Sequence, residues 1–167
     1  MKYDYEVDED GNQSWSMYGL RHRLEGPAEI DADGTEYWYR NGLLHRHNAP
    51  AITQPNGYEA WYKNGHRHRE DGPAITQGTG YRAWYRHDML HRTDGPAIIW
   101  PDGTQAWYIR GLLHRTDGPA LMDPDAIVPF CWHIQGIVMT SAKKFQEKSG
   151  CTDEELAMLI LKYGDIQ

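Results

Sequence analysis

The sequence is short of the residues that large apolar cores and disulfide frameworks need. Of its 167 residues, only 2 are Phe and 2 are Cys. Two cysteines with no motif around them exclude a disulfide-rich scaffold and favour a reducing compartment. No apolar run approaches membrane-spanning length, and the acidic, aromatic start is unlike a signal peptide. We therefore expect a cytoplasmic protein with no membrane partner.

A basic excess and a recognisable catalytic motif are also missing. The net charge is −7, and residues 12–120 carry equal numbers of acidic and basic side chains. Because nucleic-acid binders normally carry a clear basic excess, we do not expect a nucleic-acid partner. The chain contains no Gly-rich phosphate loop, serine elbow or glutamate-rich metal motif. We therefore expect neither enzymatic activity nor a cofactor.

The sequence does contain many Trp and Tyr residues, and they recur with a fixed period. One unit of 23 residues occurs five times without an insertion. We assign residues 11–139 to these five repeats plus one degenerate half-repeat, in which Trp132 and Gly136 follow at a longer spacing. The repeated Trp residues are Trp15, Trp38, Trp61, Trp84 and Trp107. The His residues of the repeated His-Arg pairs are His22, His45, His68, His91 and His114.

Each repeat has the pattern of a β-hairpin. Turn dipeptides such as Asp33-Gly34 and Asn41-Gly42 flank a short aromatic strand, 35–40 in the second repeat. Pro in the later Gly-Pro-Ala segment predicts an interruption of the second strand. In the first strand of the repeats, the face that contains Tyr has no charged residues. On the opposite face, Trp stands between residues that are mostly charged. We predict that the Tyr face lies in the core and the Trp face is partly solvated.

Both ends of the array differ from the repeats. Residues 1–10 alternate aromatic and acidic residues, which predicts an N-terminal edge strand. Residues 140–167 predict a helical cap, whose second helix begins with the capping box Thr152 to Glu155. The expected fold is therefore mainly β: tandem hairpins forming an elongated, twisted antiparallel sheet, with a short C-terminal helical cap.

The repeat resembles that of MORN proteins. The resemblance is carried by the 23-residue period, by the aromatic Tyr39 three residues before Gly42, and by His45 three residues after it. This chain has His-Arg-x-x-Gly-Pro-Ala where MORN repeats have His-Gly-x-Gly. The variant is similar to repeats of bacteriophage and bacterial proteins, including MORN-variant proteins proposed as antitoxins. The resemblance implies a non-enzymatic binding sheet, located in the host cytoplasm if a phage encodes it.

The repeated His, Arg and Asp residues are interpreted as a structural column. Equivalent side chains in neighbouring hairpins are about 9–10 Å apart, too far to share a metal ion. We expect no metal site; each His should bond a backbone carbonyl, and each Asp should pair with an Arg. The segment 47–51 lacks the Asp and the Gly, and should be distorted. The column also comprises Arg69, Arg92, Arg115, Asp71, Asp94 and Asp117.

An aromatic stripe is the candidate binding site. Trp side chains in a row beside basic residues can stack planar ligands or anchor proteins. We predict a protein-binding module that binds or inhibits a host protein, and a homodimer. The alternatives are capture of a nucleotide signal in a pocket between protomers, and an antitoxin-like role. The stripe consists of Trp38, Trp61, Trp84 and Trp107, with Arg40, Lys63 and Arg86 beside them.

Overall fold

The fold is mainly β in the computed structural model, which describes residues 2–126, 130–164 and 166. Thirteen strands belong to an open antiparallel sheet of hairpins, and two helices follow at the C-terminus. This confirms the predicted class of hairpin sheet with a helical C-terminal segment. The chain divides into two compact units, Met1–Met89 and Leu90–Gln167.

The first unit contains a sheet in which the strands follow one another along the chain. The strands are β1 Asp4–Val7, β2 Gln13–Met17, β3 Leu20–Arg21, β4 Glu29–Ile30, β5 Glu36–Tyr37, β6 Tyr39–Arg40, β7 Leu43–Leu44, β8 Ile52–Thr53, β9 Glu59–Ala60, β10 Tyr62–Lys63, β11 His66–Arg67, β12 Ile75–Thr76, β13 Arg82–Ala83 and β14 Tyr85–Arg86. Their order in the sheet is β1-β2-β4-β5-β8-β9-β12-β13, with β3 paired to β2, while β6-β7 and β10-β11 form separate ladders. Strand β15, Met89–Leu90, begins at the last residue of this unit.

The second unit repeats the arrangement and adds the helices. Strands β16-β17-β20-β21 are neighbours in order, and β18-β19 and β22-β23 form two-stranded ladders. The elements are β16 Ile98–Ile99, β17 Gln105–Ala106, β18 Tyr108–Ile109, β19 Leu112–Leu113, β20 Leu121–Met122, β21 Phe130–Cys131, β22 His133–Ile134, β23 Ile137–Val138, α1 Ala142–Ser149 and α2 Asp153–Tyr163.

In the second to fifth repeats the hairpin is interrupted on both strands, whereas the sequence predicted an interruption only on the second; in the first repeat β2 runs unbroken through Trp15. The first strand of the second repeat divides into β5 and β6 at Trp38. The Trp38 N–H donates to the carbonyl of Ala51 at 2.7 Å, and its carbonyl accepts from the His45 N–H at 2.8 Å. The Trp backbone therefore closes the neck of the loop 46–50, which displaces the opposite strand from regular pairing. The same two bonds recur at Trp15, Trp61 and Trp107.

The core of the repeats consists largely of alanines. Ala60 and Ala83 lie between Tyr residues on the first strand and are fully buried. The Ala that ends each loop is also fully buried, which places a small side chain where backbones lie close together. The Tyr and Trp side chains on either face are half-buried. The loop-end alanines are Ala28, Ala51, Ala74, Ala97 and Ala120.

The helices pack on the degenerate half-repeat of the second unit. Trp132 and Phe145 meet edge to face, with ring centroids 4.8 Å apart, in a buried apolar cluster. The predicted capping box is present at the start of α2, because the Thr152 N–H donates to Glu155 Oε2 at 2.8 Å. Leu156 and Tyr163 of α2 lie partly buried against the same cluster. Neither helix in the described part of the chain is long and apolar enough to cross a bilayer.

Candidate binding site

In the third repeat the arginine after the repeated histidine is held by three contacts within its own repeat. The guanidinium carbon of Arg69 lies 3.8 Å from the ring centroid of Trp61. Its Nε donates to Asp71 Oδ1 at 3.0 Å, and its Nη1 donates to the Pro73 carbonyl at 3.3 Å. We call this arrangement the arginine clamp. It covers one face of the Trp ring and fixes the loop between the two strands.

The clamp recurs along the chain with small variations. The guanidinium lies 3.6 Å over Trp38, 3.9 Å over Trp107 and 4.0 Å over Trp15. The bond to the Pro carbonyl is 3.2–3.3 Å long in every repeat. The Arg–Asp pair occurs in the last three repeats, between Arg69 and Asp71, Arg92 and Asp94, and Arg115 and Asp117, at 3.0, 2.9 and 2.8 Å.

The Asp of the clamp is shifted towards its charged form. The pKa of Asp71 is lowered first by the hydrogen bond from Arg69. The pKa of Asp94 is lowered in the same way by Arg92. Both carboxylates lie at the surface, so the contact orients the Arg rather than burying an ion pair.

The Gly of the motif is explained by the clamp. A Cβ built on Gly72 would lie 3.0 Å from Cζ of Arg69, and one on Gly26 would lie 2.7 Å from Cζ of Arg23. The guanidinium therefore occupies the space that any larger residue would need. The residues of His-Arg-x-Asp-Gly-Pro-Ala thus form one packing unit together with the Trp eight positions before the Arg.

The repeated His links one repeat to the next. Nδ1 of His45 accepts a hydrogen bond from the Asn64 N–H at 3.1 Å, and Nδ1 of His91 accepts one from the Arg110 N–H at 3.2 Å. The expected partner, a backbone carbonyl, is therefore wrong: the ring accepts rather than donates. The first residue of the two-residue turn presents an N–H here, and the ring satisfies it. His22 with Asn41 and His114 with Gln135 repeat this bond at 3.1 and 3.2 Å.

The environment of His45 disfavours its protonation. Burial is the largest cause that lowers its pKa, followed by the positive charge of Arg40. His47 and Lys63 act in the same direction, and only the bond with Asn64 opposes them. Within the described ranges, no group of three His, Cys, Asp or Glu side chains could hold a metal ion.

The link between the third and fourth repeats differs from the others. Asp88, with φ of 63°, occupies a turn position that is Gly in the other repeats. Its carboxylate contacts His66 Nδ1 at 2.7 Å and accepts from Arg67 Nε at 2.9 Å. Burial raises the pKa of Asp88, but hydrogen bonds from Arg67 and His66 bring it down to about 2. The 23-residue pattern alone does not predict this pair.

A signal for the pair was present in the sequence. In the preceding repeat the same contact is apolar: Leu43 Cδ2 lies 3.3 Å from where a Cβ on Gly65 would stand. At the next link Leu is replaced by His66 and Gly by Asp88. These two positions contact each other across neighbouring hairpins. A change at both of them in the same link indicates that a charged contact replaces the apolar one.

The predicted aromatic stripe is half-buried. Trp38, Trp61, Trp84 and Trp107 are each partly exposed, and Arg40, Lys63 and Arg86 beside them are exposed. The arginine clamp occupies one face of Trp38, Trp61 and Trp107. The indole nitrogens of Trp38 and Trp61 are buried without a hydrogen-bond partner. Stacking of a planar ligand between successive Trp rings would therefore require displacement of an Arg; a role in binding stays a prediction.

Grooves between successive loops bring Trp and charged side chains together. One groove lies in the first unit, where Trp61 is accompanied by side chains of two loops. A second lies in the second unit, where Trp107 is accompanied by Arg92 and His114. The first groove is lined by His45, Arg46, His47, Asn48, Trp61, Tyr62, Lys63, His68, Arg69, Glu70 and Asp71.

Comparison with known proteins adds no family to these observations. No protein-family model matches the sequence, and no curated protein was found to be similar to it. The chain is consistent with a repeat protein, because its antiparallel hairpins recur in both sequence and structure.

Proposed function

We propose that the chain is a non-enzymatic protein-binding module built from MORN-like variant repeats. The observation that supports this best is the groove in the first unit, which combines Trp61 with Arg46, Lys63 and Arg69 at the surface. Trp and Arg are enriched among the residues that contribute most to protein–protein affinity. The resemblance to bacteriophage and bacterial repeats extends the proposal to a host protein as the partner that is bound or inhibited.

Preorganisation of the groove supports the same proposal. The loop from Arg69 to Pro73 is fixed by the stack on Trp61, by the bond to Asp71 and by the bond to the Pro73 carbonyl. A partner that binds loops already held in place loses less conformational entropy on association. The exposed Lys63 at the rim would then contribute to partner selection through charge.

Affinity capture with paired variants tests this proposal. We expect the wild-type chain to enrich a partner from the native host, and the Lys63→Glu, Arg86→Glu variant to lose it. Both residues are exposed, so their replacement leaves the arginine clamps in place. Lys143→Glu, an equally exposed site on α1, is the control and should retain the partner. Equal recovery with the wild-type chain and the Lys63, Arg86 variant would reject the groove as the binding surface.

A further inference from the structure

The second loop departs from the clamp in one respect. Arg46 stacks on Trp38 at 3.6 Å and donates Nη1 to the Pro50 carbonyl at 3.3 Å, as its equivalents do. The position that is Asp71 in the third repeat is Asn48 here. In the part of the chain that the structure describes, no carboxylate forms an ion pair with Arg46. The Arg46 guanidinium therefore has the same position as in the other repeats but lacks the Asp that pairs with the Arg of the last three repeats.

The backbone explains why Asn48 does not replace the missing acid. Ala49 stands at the position of Gly72 in the third repeat, where a Cβ would lie 3.0 Å from Cζ of Arg69. The loop changes course, with Asn48 in the left-handed region at φ of 57°. The five loops are residues 23–27, 46–50, 69–73, 92–96 and 115–119. Among their described residues, Asn48 is the only one that is not Gly and has a positive φ. The distortion predicted for segment 47–51 is thus present.

The charges around Arg46 leave the groove with a positive excess. Two acidic side chains line the groove, Glu70 and Asp71, and Asp71 already pairs with Arg69 at 3.0 Å. The groove has three cationic side chains: Arg46, Lys63 and Arg69. Glu36 attracts Arg46 electrostatically but forms no ion pair with it. Lys63 lies at the rim, exposed, and forms no ion pair among the described residues. The lowered pKa of His45, caused by burial and then by nearby positive charges, is consistent with this excess.

We propose that this groove binds an acidic side chain of the protein partner, whose carboxylate pairs with Arg46 as Asp71 pairs with Arg69. The inference rests on the proposed function and names the chemistry of the partner: an exposed segment that contains Asp or Glu. The stack on Trp38 occupies one face of the guanidinium, so the carboxylate approaches its edge, where the N–H donors point. Lys63 then contacts a neighbouring acidic group of the same segment.

A labelled peptide of alternating Glu and Gly tests the proposal without the natural partner. Anisotropy at low salt should show that it binds the wild-type chain, and that a matched Gln-Gly peptide does not. The double variant Asn48→Asp, Ala49→Gly restores the loop of the third repeat and supplies the carboxylate from within the chain. It should weaken binding of the acidic peptide by about fivefold or more.

Ala49→Gly alone is the matched control, because it changes the backbone but not the charge. It should bind the acidic peptide as the wild type does. Equal affinity of the double variant and the wild type, or equal binding of the two peptides, would overturn the proposal. A natural partner whose capture is unaffected by the double variant would likewise overturn it and leave the proposed function intact.

Discussion

The arginine of the repeated His-Arg pair combines three contacts that no other side chain could make together. Arg69 needs a planar face for Trp61, an Nε–H for Asp71 and an Nη–H for the Pro73 carbonyl. A Lys has the charge but neither the plane nor the fork of donors. The requirement explains why Arg recurs in every repeat, while the position two residues after the Trp varies, being Met17, Arg40, Lys63, Arg86 and Ile109.

We therefore expect Arg69→Lys to destabilise the chain by about 1–2 kcal/mol, from the lost stacking and one lost hydrogen bond. Urea denaturation followed by Trp fluorescence would measure the free energy of unfolding. Arg86→Lys, at an exposed position outside any clamp, is the control and should change stability by about 0.5 kcal/mol or less. Equal effects of the two variants would show that the clamp does not depend on the shape of the guanidinium.

At this scale the sequence predicts contacts between near neighbours and misses those that depend on the path of the chain. The Arg69–Asp71 pair follows from a two-residue spacing that three repeats share. The Trp61–Arg69 stack does not, because the hairpin between them decides which Arg meets which Trp. The spacing along the strand therefore predicts Lys63 as the basic neighbour of Trp61, whereas Arg69 covers the ring.

At the scale of the repeat, one kind of contact stabilises each hairpin and another connects neighbouring hairpins. The clamp joins residues of the same hairpin, whereas the His bond joins one hairpin to the turn of the next. The period and the turn dipeptides were sufficient to predict the hairpins. They could not predict that the Trp38 backbone hydrogen-bonds to both Ala51 and His45, the residues that flank loop 46–50. Those bonds depend on how far the loop lies from the opposite strand.

The link between hairpins should weaken on acidification. Protonation of His45 places an N–H against the Asn64 N–H that it now accepts from at 3.1 Å. Burial, then Arg40, lowers the pKa of His45 in the folded state, so below about pH 6.5 the unfolded chain binds the proton first. The free energy of unfolding therefore falls as pH falls from that value towards the folded pKa.

Chemical denaturation at pH 7.5 and 5.5 would measure this loss. His45→Gln should reduce the dependence on pH, since it removes the titrating ring. His47→Gln, which replaces an exposed ring of the same loop, should leave most of the dependence in place. A slope that is insensitive to His45→Gln would assign the effect to other groups.

At the scale of the molecule, strand β1 forms an edge of the sheet and determines the charge of that edge. Strand β1 is exposed along its whole length and pairs, among the described strands, with β2 alone. Its Asp4 and Glu6 place negative charge on an edge that otherwise offers free backbone groups for pairing. The sequence predicted this strand from its alternation of acidic and aromatic residues. We therefore do not expect the predicted homodimer to form through this edge at neutral pH.

We expect Asp4→Asn, Glu6→Asn to increase self-association at neutral pH, because the repulsion between two copies of the edge is removed. Light scattering across a concentration series would report the change in mass relative to the wild type. Glu147→Gln, on the exposed side of α1, is a control that removes negative charge elsewhere and should not shift the mass. An unchanged mass for the β1 variant would show that charge does not protect this edge.

The pairing of Asp88 with His66 has a consequence for how a tandem chain finds its register. Hairpins with nearly the same sequence could dock one unit out of step, because most of their contacts would still form. Such a slip would set the Asp88 carboxylate beside Leu43 instead of His66 and remove its contacts with His66 and Arg67. The charged contact at this one link therefore disfavours a misaligned array and favours docking of each hairpin against its correct neighbour.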